Sequence, residues 1–187
     1  MVSFSTKAQN IEYGARLGYS FTDFFVDEPT NIGGKASFAV AGFTRIPFIK
    51  ELFFFQPEIG FSRRSGRLWT NDAPFTLTND FVEVPLLLSI GKKNVSFVEV
   101  GGYFSYMFNA DLANPNQVDL SPNSFSISDF NALDYGIAFG LNFNYENYFF
   151  GARYNYGLQD LVTSSNAEFF GQRLRTKSFQ VYVMYSF

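Results

Sequence analysis

The sequence predicts an all-β fold: an eight-stranded antiparallel up-and-down transmembrane β-barrel with four long external loops and short periplasmic turns. Three observations carry this prediction. Bulky apolar side chains alternate with small or polar ones along about eight segments, with the period of a strand. The connections are alternately long and short, as in outer-membrane barrels. The last segment, Phe179 to Phe187, is an apolar strand whose free edge invites aggregation unless it pairs with the first strand.

Composition limits both the class of protein and its chemistry. The 187 residues suit one domain, and 20% aromatic with only 17% charged residues suits strands that face lipid on one side. The formal net charge of −3 gives no basic footprint for nucleic acid. Cys and His are absent, which removes disulfides, thiolate metal sites, cysteine nucleophiles and the commonest general base. No apolar run is long enough for a transmembrane helix.

Each strand is assigned from its alternation, and each connection from its Gly, Pro, Asn and Asp residues. The predicted strands are 10–21, 35–45, 51–63, 80–90, 95–109, 131–144, 148–158 and a terminal strand ending at Phe187. The predicted long loops are 22–33, 64–78, 110–130 and 159–173, and the short turns lie around Pro47, at 91–94 and at Glu146-Asn147. The barrel domain therefore covers 10–187, and residues 1–9 are interpreted as a signal-peptide remnant or a disordered N-terminus.

The less bulky face of these strands is predicted to be the barrel interior. It combines many Gly and Ala residues with single charges of both signs, including Glu12 and Lys35, whereas a soluble lipocalin-type barrel is apolar inside. Tyr residues near the strand ends of the bulky face suit the interfacial belts of a membrane protein. Because buried charges need partners, we expect an interior polar network of Arg16, Glu58, Glu83, Glu99, Asp134 and Arg153.

Several motifs resemble the PorT-like outer-membrane β-barrel family of Bacteroidetes-type bacteria. These are the Gln-Pro-Glu strand at 56–58, the Glu-x-Pro-Leu-Leu strand at 83–87, Gly102-Tyr103, and Arg153-Tyr154 followed by Gly157-Leu158. The resemblance spans the chain from Asn10 and rests on the order and spacing of the motifs. It implies an outer-membrane barrel and, for some members, a link to protein-export machinery. It also makes Pro57 and Pro85 family features, although proline lacks a ladder N–H.

Three functional hypotheses follow from these residues. Catalysis by the carboxylates of Glu58, Glu83 and Glu99 is set aside, because an interior network with arginines explains them; no enzyme activity, cofactor or metal is expected. The acidic pair Asp27 and Glu28 has no Ca²⁺-ligand spacing. An open pore is disfavoured, because eight strands enclose only enough room for their own side chains. A binding or accessory role remains, with loop 110–130 as the candidate contact through Leu120, Phe125 and Ile127.

The predicted function is a small non-catalytic outer-membrane barrel that serves as a structural or accessory subunit of a larger envelope or protein-export assembly. The alternative is a stand-alone barrel whose external loops bind a ligand or a surface. The expected partners are outer-membrane lipid and a larger membrane complex, with no nucleic acid. The short turns and both chain termini are expected on the periplasmic side.

Overall fold

The sheet closes on itself into a barrel. The computed structural model describes residues 11–26, 32–49, 52–69, 74–92, 95–113, 131–161 and 174–187. The strands are β1 (Glu12–Val26), β2 (Ile32–Ile49), β3 (Phe53–Trp69), β4 (Pro74–Lys92), β5 (Ser96–Ala113), β6 (Leu133–Tyr145), β7 (Tyr148–Gly157) and β8 (Leu174–Ser186). Each pairs antiparallel with its neighbours in the chain, and β1 pairs with β8 from Gly14 opposite Ser186 to Val26 opposite Leu174. The predicted fold class is confirmed.

The alternation in the sequence places apolar side chains on the outside of the barrel. Along β6, burial alternates almost residue by residue, with Asp134, Ala138 and Asn142 buried and the bulky residues between them exposed. Exposed Leu, Ile, Val, Phe and Tyr side chains recur on the outward face of every strand, and together they form what we call the apolar band. Its width on β3, from Phe53 to Phe61, matches the roughly 9–11 residues that a tilted strand needs to cross a bilayer.

The two ends of the barrel differ. The turn end holds the short connections β2–β3, β4–β5 and β6–β7 together with Phe187, whose N–H donates to Tyr13 O at 2.9 Å. At the β6–β7 turn, Glu146 takes a left-handed φ of 53°, and Asn144 Nδ2 donates to its carbonyl at 3.1 Å. The opposite end, where the other four connections lie, is the loop end.

Two predicted loops are wrong in length. The predicted loops 22–33 and 64–78 are mostly strand, because β1 continues to Val26, β2 begins at Ile32, β3 continues to Trp69 and β4 begins at Pro74. The predicted loop bounds follow from turn-forming residues, Asp27-Glu28-Pro29, Gly33-Gly34 and Asn71-Asp72-Ala73-Pro74, and the strands continue closer to these residues than the pattern indicated. Residues 1–9 and most of 110–130 lie outside the described residues, and the interpretations of both segments remain predictions.

The two strand prolines coincide with interruptions in the ladders on either side of β3. The β2–β3 pairing skips from Phe43↔Glu58 to Ile46↔Phe55, past Pro57, while Pro57 pairs with Leu86 of β4. The β3–β4 pairing skips from Pro57↔Leu86 to Gly60↔Glu83, past Pro85, while Pro85 pairs with Tyr103 of β5. Each proline thus pairs with the neighbouring strand on one side. On its other side the strand ladder is interrupted, as expected where a residue has no N–H to donate.

Glycines on the inward face make room for the large interior rings. Tyr182 lies between Gly18 and Gly151, and Tyr103 lies over Gly136 on the next strand. A Cβ on Gly18 would approach the Cβ of Tyr182 to 2.6 Å, and one on Gly136 would approach Cε1 of Tyr103 to 2.7 Å. The abundance of inward glycines in the sequence therefore reflects the filling of a narrow barrel.

Candidate functional site

The centre of the barrel is occupied by a network built around Glu58, which we call the central network. Arg153 from β7 donates two hydrogen bonds to Glu58, from Nη1 to Oε2 at 3.0 Å and from Nη2 to Oε1 at 2.7 Å. On the other side of the carboxylate, Arg16 Nε lies 3.1 Å from Oε2, an ion pair without hydrogen-bond geometry. Arg16 Nη1 instead donates to Gln180 Oε1 at 2.7 Å. The two parallel hydrogen bonds from Arg153 to Glu58 have the bidentate geometry in which arginine binds a carboxylate most strongly.

Glu99 shares the central network with Glu58. Arg153 Nη2 also donates to Glu99 Oε2 at 2.8 Å, so one guanidinium holds both carboxylates. Gln56 Nε2 donates to Glu58 at 2.8 Å and to Glu99 at 3.1 Å, and the Tyr182 hydroxyl reaches Glu99 at 3.3 Å. Strands β1, β3, β5, β7 and β8 are therefore tied together across the barrel axis.

A second set, the loop-end network, is organised around Arg64 of β3. Its Nη1 donates to Asp134 Oδ2 at 2.5 Å, and its Nη2 donates to Glu83 Oε2 at 2.8 Å and to Ser105 at 3.0 Å. Thr176 donates to Asp134 at 3.0 Å. The guanidinium also lies 4.3 Å from the ring centroid of Phe81 and 5.6 Å from that of Tyr103.

Towards the turn end, the interior is filled by an aromatic cluster around Arg45. The Arg45 guanidinium carbon lies between 4.3 and 5.8 Å from four ring centroids, those of Phe43, Phe54, Phe97 and Phe149. Its Nε and Nη2 donate to Gln56 Oε1 at 3.1 and 2.8 Å. Gln56 therefore joins the aromatic cluster to the central network.

All six residues of the predicted interior network face inward and are at most 3% exposed. They do not lie in a single network. The central network brings together Arg16, Glu58, Glu99 and Arg153, whereas Glu83 and Asp134 bind Arg64 of the loop-end network. Lys35 was expected inside but is exposed, because it lies at the loop end beside a register shift between Lys35 and Ala39.

Sequence reasoning missed two of the four buried arginines. Arg64 falls in the segment predicted as a loop, although it continues the inward alternation of Glu58 and Ser62. Arg45 ends the predicted second strand, on the inward side with Ala39 and Ala41, so a signal for it was present. The contact loop predicted through Leu120, Phe125 and Ile127 lies outside the described residues.

The interior of the barrel holds equal numbers of buried positive and negative side chains. Among the inward-facing described residues, the buried arginines 16, 45, 64 and 153 match the buried carboxylates Glu58, Glu83, Glu99 and Asp134 in number. Charges buried in this way are tolerated when they are paired and hydrogen-bonded. No group of three or more His, Cys, Asp or Glu side chains within the described ranges is arranged to hold a metal ion. The arrangement crosslinks strands and fills the barrel.

Comparisons with known proteins agree with this geometry. A family model for the outer membrane protein β-barrel domain matches residues 7–163. The barrel is similar to Ail, the attachment invasion locus protein of Yersinia pestis, solved with the heparin analogue sucrose octasulfate, at 14% identity, with 95% of this chain and 99% of that chain covered and a TM-score of 0.51. No curated protein sequence matches the chain.

Two further solved barrels are similar. Neisserial surface protein A is 12% identical, with 94% of this chain and 97% of that chain covered and a TM-score of 0.52. OprG of Pseudomonas aeruginosa is 13% identical, with 96% and 97% covered and a TM-score of 0.50. At these identities the likeness shows the fold alone. No helix in the described part of the chain is long and apolar enough to cross a membrane. Since the family model covers most of the chain, this protein belongs to the outer membrane protein β-barrel domain family and is an outer-membrane barrel.

Proposed function

We propose that this barrel is a non-catalytic structural or accessory subunit of a larger envelope or protein-export assembly, and that it acts through its surfaces. The observation that carries the proposal is the filled interior. The aromatic cluster, the central network and the loop-end network follow one another along the barrel, and the charged side chains in them bind one another. Such an interior has no room for a substrate and leaves the outer surfaces for function.

The surface we favour for contact is the loop-end part of four adjacent strands, which begins among the last exposed aromatic residues of the apolar band, Phe38 and Phe108. Val40, Phe61, Val82 and Tyr106 form one row across β2 to β5, and beyond that row the four strands continue to the loop end. On the other side of the barrel, β6 begins at Leu133, opposite Tyr106, and β7 ends at Gly157. The paired ends of β1 and β8 also continue, up to Val26 opposite Leu174, so the wall is lowest at β6 and β7. We call its β2–β5 part, residues 32–39, 62–69, 74–81 and 107–113, the extension. A hydrogen-bonded wall is a rigid platform for a partner.

We further propose that the chain belongs to the PorT-like branch of barrels. Most of the residues that carry the resemblance lie in the interior networks or at the gaps in the strand ladders. Gln56, Glu58 and Arg153 lie in the central network, Glu83 in the loop-end network, and Pro57 and Pro85 at the two ladder gaps. A shared interior architecture gives a physical reason for motifs of this order and spacing, and a role beside export machinery is consistent with it.

The proposed orientation has the loop end outside the cell and the turn end, with both termini, in the periplasm. This follows the rule that outer-membrane barrels place short turns inside and longer connections outside. The chain has no Cys, so single cysteines can report accessibility cleanly. We expect a cysteine at Thr78 to react with a membrane-impermeant maleimide on intact cells and one at Lys92 to react only after lysis. The reverse pattern would invert the orientation.

The accessory role is tested by gentle detergent extraction followed by sizing and mass spectrometry. We expect co-migration with a large complex.

The contact surface is tested by photo-crosslinking. A photo-crosslinking amino acid at Thr78, on the extension, should capture the partner. The matched control position is Phe104, which faces lipid within the apolar band. Capture from Phe104 alone would place the contact on the lipid-facing wall, and loss of the complex with Phe125→Asp would place it on loop 110–130. Migration as a lone particle from native membranes contradicts the accessory role.

The second candidate is a stand-alone barrel whose loop end binds a ligand or a surface. It is favoured by the likeness in fold to Ail, whose solved structure holds a sulfated sugar. Binding of sucrose octasulfate by the purified, partner-free barrel, together with lone-particle migration, would support this candidate over the accessory role.

A further inference from the structure

The outer wall of the barrel carries an apolar groove along β8. Its floor is formed by Val181 and Val183, and its walls are Leu17 and Tyr19 of β1 on one side and Phe150 of β7 on the other. The groove encloses about 540 Å³ and is lined almost entirely by apolar atoms. Its walls stand on strands two spacings apart, roughly 9–10 Å, which leaves room for one row of side chains.

The groove follows from the sizes of the outward residues on neighbouring strands. Leu17 is 65% exposed and Tyr19 is 64% exposed, whereas Val181 and Val183 are 39% and 41% exposed. The two β1 side chains therefore project from the wall directly beside the groove, and we call them the ridge. A ridge that lies next to a groove gives this face a shape that can pack against a copy of itself.

The strand register sets the ridge and the groove at the same level of the barrel. Leu17 lies opposite Val183, which in turn lies opposite Phe150, and Tyr19 lies opposite Val181. Two copies inserted in one membrane have the same orientation, so a two-fold axis between them runs along the membrane normal and joins residues at equal depth. An axis in front of β1 and β8 then sets the ridge of each copy against the groove of the other.

We propose that this face binds a second copy of the chain, in a two-fold dimer where Leu17 and Tyr19 of each copy pack between Phe150 and the β8 valines of the other. Within lipid, transmembrane elements associate through close packing and through the release of ordered lipid. Acyl chains are flexible and must be ordered to fill so narrow a groove, whereas the ridge is already fixed on a strand. The groove therefore favours the ridge over lipid.

The area of this face suits a dimer. The side chains of the ridge and the groove, with Phe21, Tyr154 and Phe179 beside them, are 39–65% exposed. If a large side chain offers about 150–250 Å² when fully exposed, the face presents on the order of 800 Å² per copy, which is the size of a standard stable interface. None of these side chains carries a charge, so the contact leaves no ion unpaired in lipid.

The arrangement is tested by disulfide crosslinking in outer membranes, since the chain has no Cys of its own. Leu17→Cys and Val183→Cys are co-expressed as differently tagged chains and oxidised in the membrane. The matched control pairs Leu17→Cys with Val98→Cys, because Val98 is also outward but lies on β5, across the barrel. A disulfide requires Cα atoms within about 7 Å, so we expect several-fold more crosslinked dimer from the first pair than from the control.

The groove itself is tested by filling it in the purified barrel. Val183→Phe adds a ring to the groove floor, and Val98→Phe makes the same change on the opposite wall. Dimerisation is measured by energy transfer between barrels labelled at a cysteine in place of Lys92, in bilayers of decreasing protein-to-lipid ratio. We expect Val183→Phe to weaken dimerisation roughly ten-fold and Val98→Phe to leave it unchanged. Heat-modifiable migration on gels checks that each barrel is folded.

Four results would overturn the proposal. These are crosslinking no stronger than the control, equal dimerisation of the two Phe variants, a monomer at every protein-to-lipid ratio, which would leave the groove to acyl chains, and crosslinking of Leu17→Cys to itself as strongly as to Val183→Cys, which would mean that ridge meets ridge. A dimer of this chain alone is no evidence for the accessory role, which requires a different protein, so the two proposals fail independently.

Discussion

Arg153 binds two buried carboxylates at once, as Arg64 does in the loop-end network. Its Nη2 donates both to Glu58 at 2.7 Å and to Glu99 at 2.8 Å. Replacing one partner of a buried ion pair leaves an uncompensated charge, which costs about 3–5 kcal/mol. We therefore expect Arg153→Gln to lower the free energy of unfolding by about that amount in urea titrations of the micelle-bound barrel.

The control for this prediction is Lys92→Gln. Because Lys92 is exposed, its replacement should change the free energy of unfolding by no more than about 0.5 kcal/mol. Arg153→Gln takes the arginine away from Glu99, whereas Glu58 keeps Arg16 at 3.1 Å. Adding Glu99→Gln removes the Glu99 charge, so the double variant should recover part of the loss. A double variant that is less stable than Arg153→Gln alone would mean that Glu99 stabilises the barrel through groups other than Arg153.

The composition of the interior was accessible from sequence, but its connectivity was not. Single charges such as Glu58 and Arg153 interrupt inward faces of Gly and Ala, and this pattern identifies them as interior residues. Which arginine binds which carboxylate depends on contacts such as Arg64 with Asp134, which are 70 residues apart. Such partners meet only after the barrel closes in one register, and no local pattern encodes that register.

At the scale of the strand, two adjacent glycines of β5 differ in the space that surrounds them. A Cβ on Gly101, which faces inward, would clash with the Leu86 carbonyl and lie 2.9 Å from the Leu87 Cα, both backbone atoms that cannot move aside. A Cβ on Gly102, which faces lipid, would be 3.6 Å from the nearest atom, the Gly136 carbonyl oxygen. We expect Gly101→Ala to destabilise the barrel by about 1–3 kcal/mol through overpacking, and Gly102→Ala to change it little.

The measurement for this pair is the urea midpoint of each folded barrel under identical micelle conditions. Because the two positions are neighbours and receive the same side chain, differences in strand propensity largely cancel. Equal midpoints would contradict the packing argument and would show that β4 can shift away from β5 at this point.

Strand length shows where sequence reasoning reaches its limit. Within the apolar band, lipid demands an apolar outward face, so alternation locates the strands, as in the segment around Phe139 and Leu141. Beyond the band that demand ends, and the outward residues of β4 are polar, as at Thr76 and Thr78, while Leu77 between them is buried. The alternation around Thr76 therefore has its apolar side chains inside, the reverse of the pattern from which the strands were assigned, and the pairing of Arg67 with Thr76 continues the ladder of the band.

At the scale of the whole molecule, the barrel is sealed by successive layers with different chemistry. The turn end is packed by the aromatic cluster around Arg45, and the middle is bridged by the central network. Towards the loop end, Arg64 joins side chains from β3, β4, β5 and β6, and Leu161, in the segment after β7, is fully buried. Water-filled passage of a sugar would require at least two of these layers to open together.

The barrel reconstituted in liposomes should therefore give no sugar-driven swelling. The sharper form of this prediction uses Arg45→Ala, which removes the guanidinium from among the four rings but leaves the bidentate Arg153–Glu58 contact in place. Swelling should still be absent, because the central network continues to block the axis, while the loss of stacking and of the Gln56 hydrogen bonds should lower stability. Sugar flux through the Arg45→Ala barrel, with none through the native chain, would mean that the aromatic cluster alone closes the barrel and that the central network leaves a passage beside it.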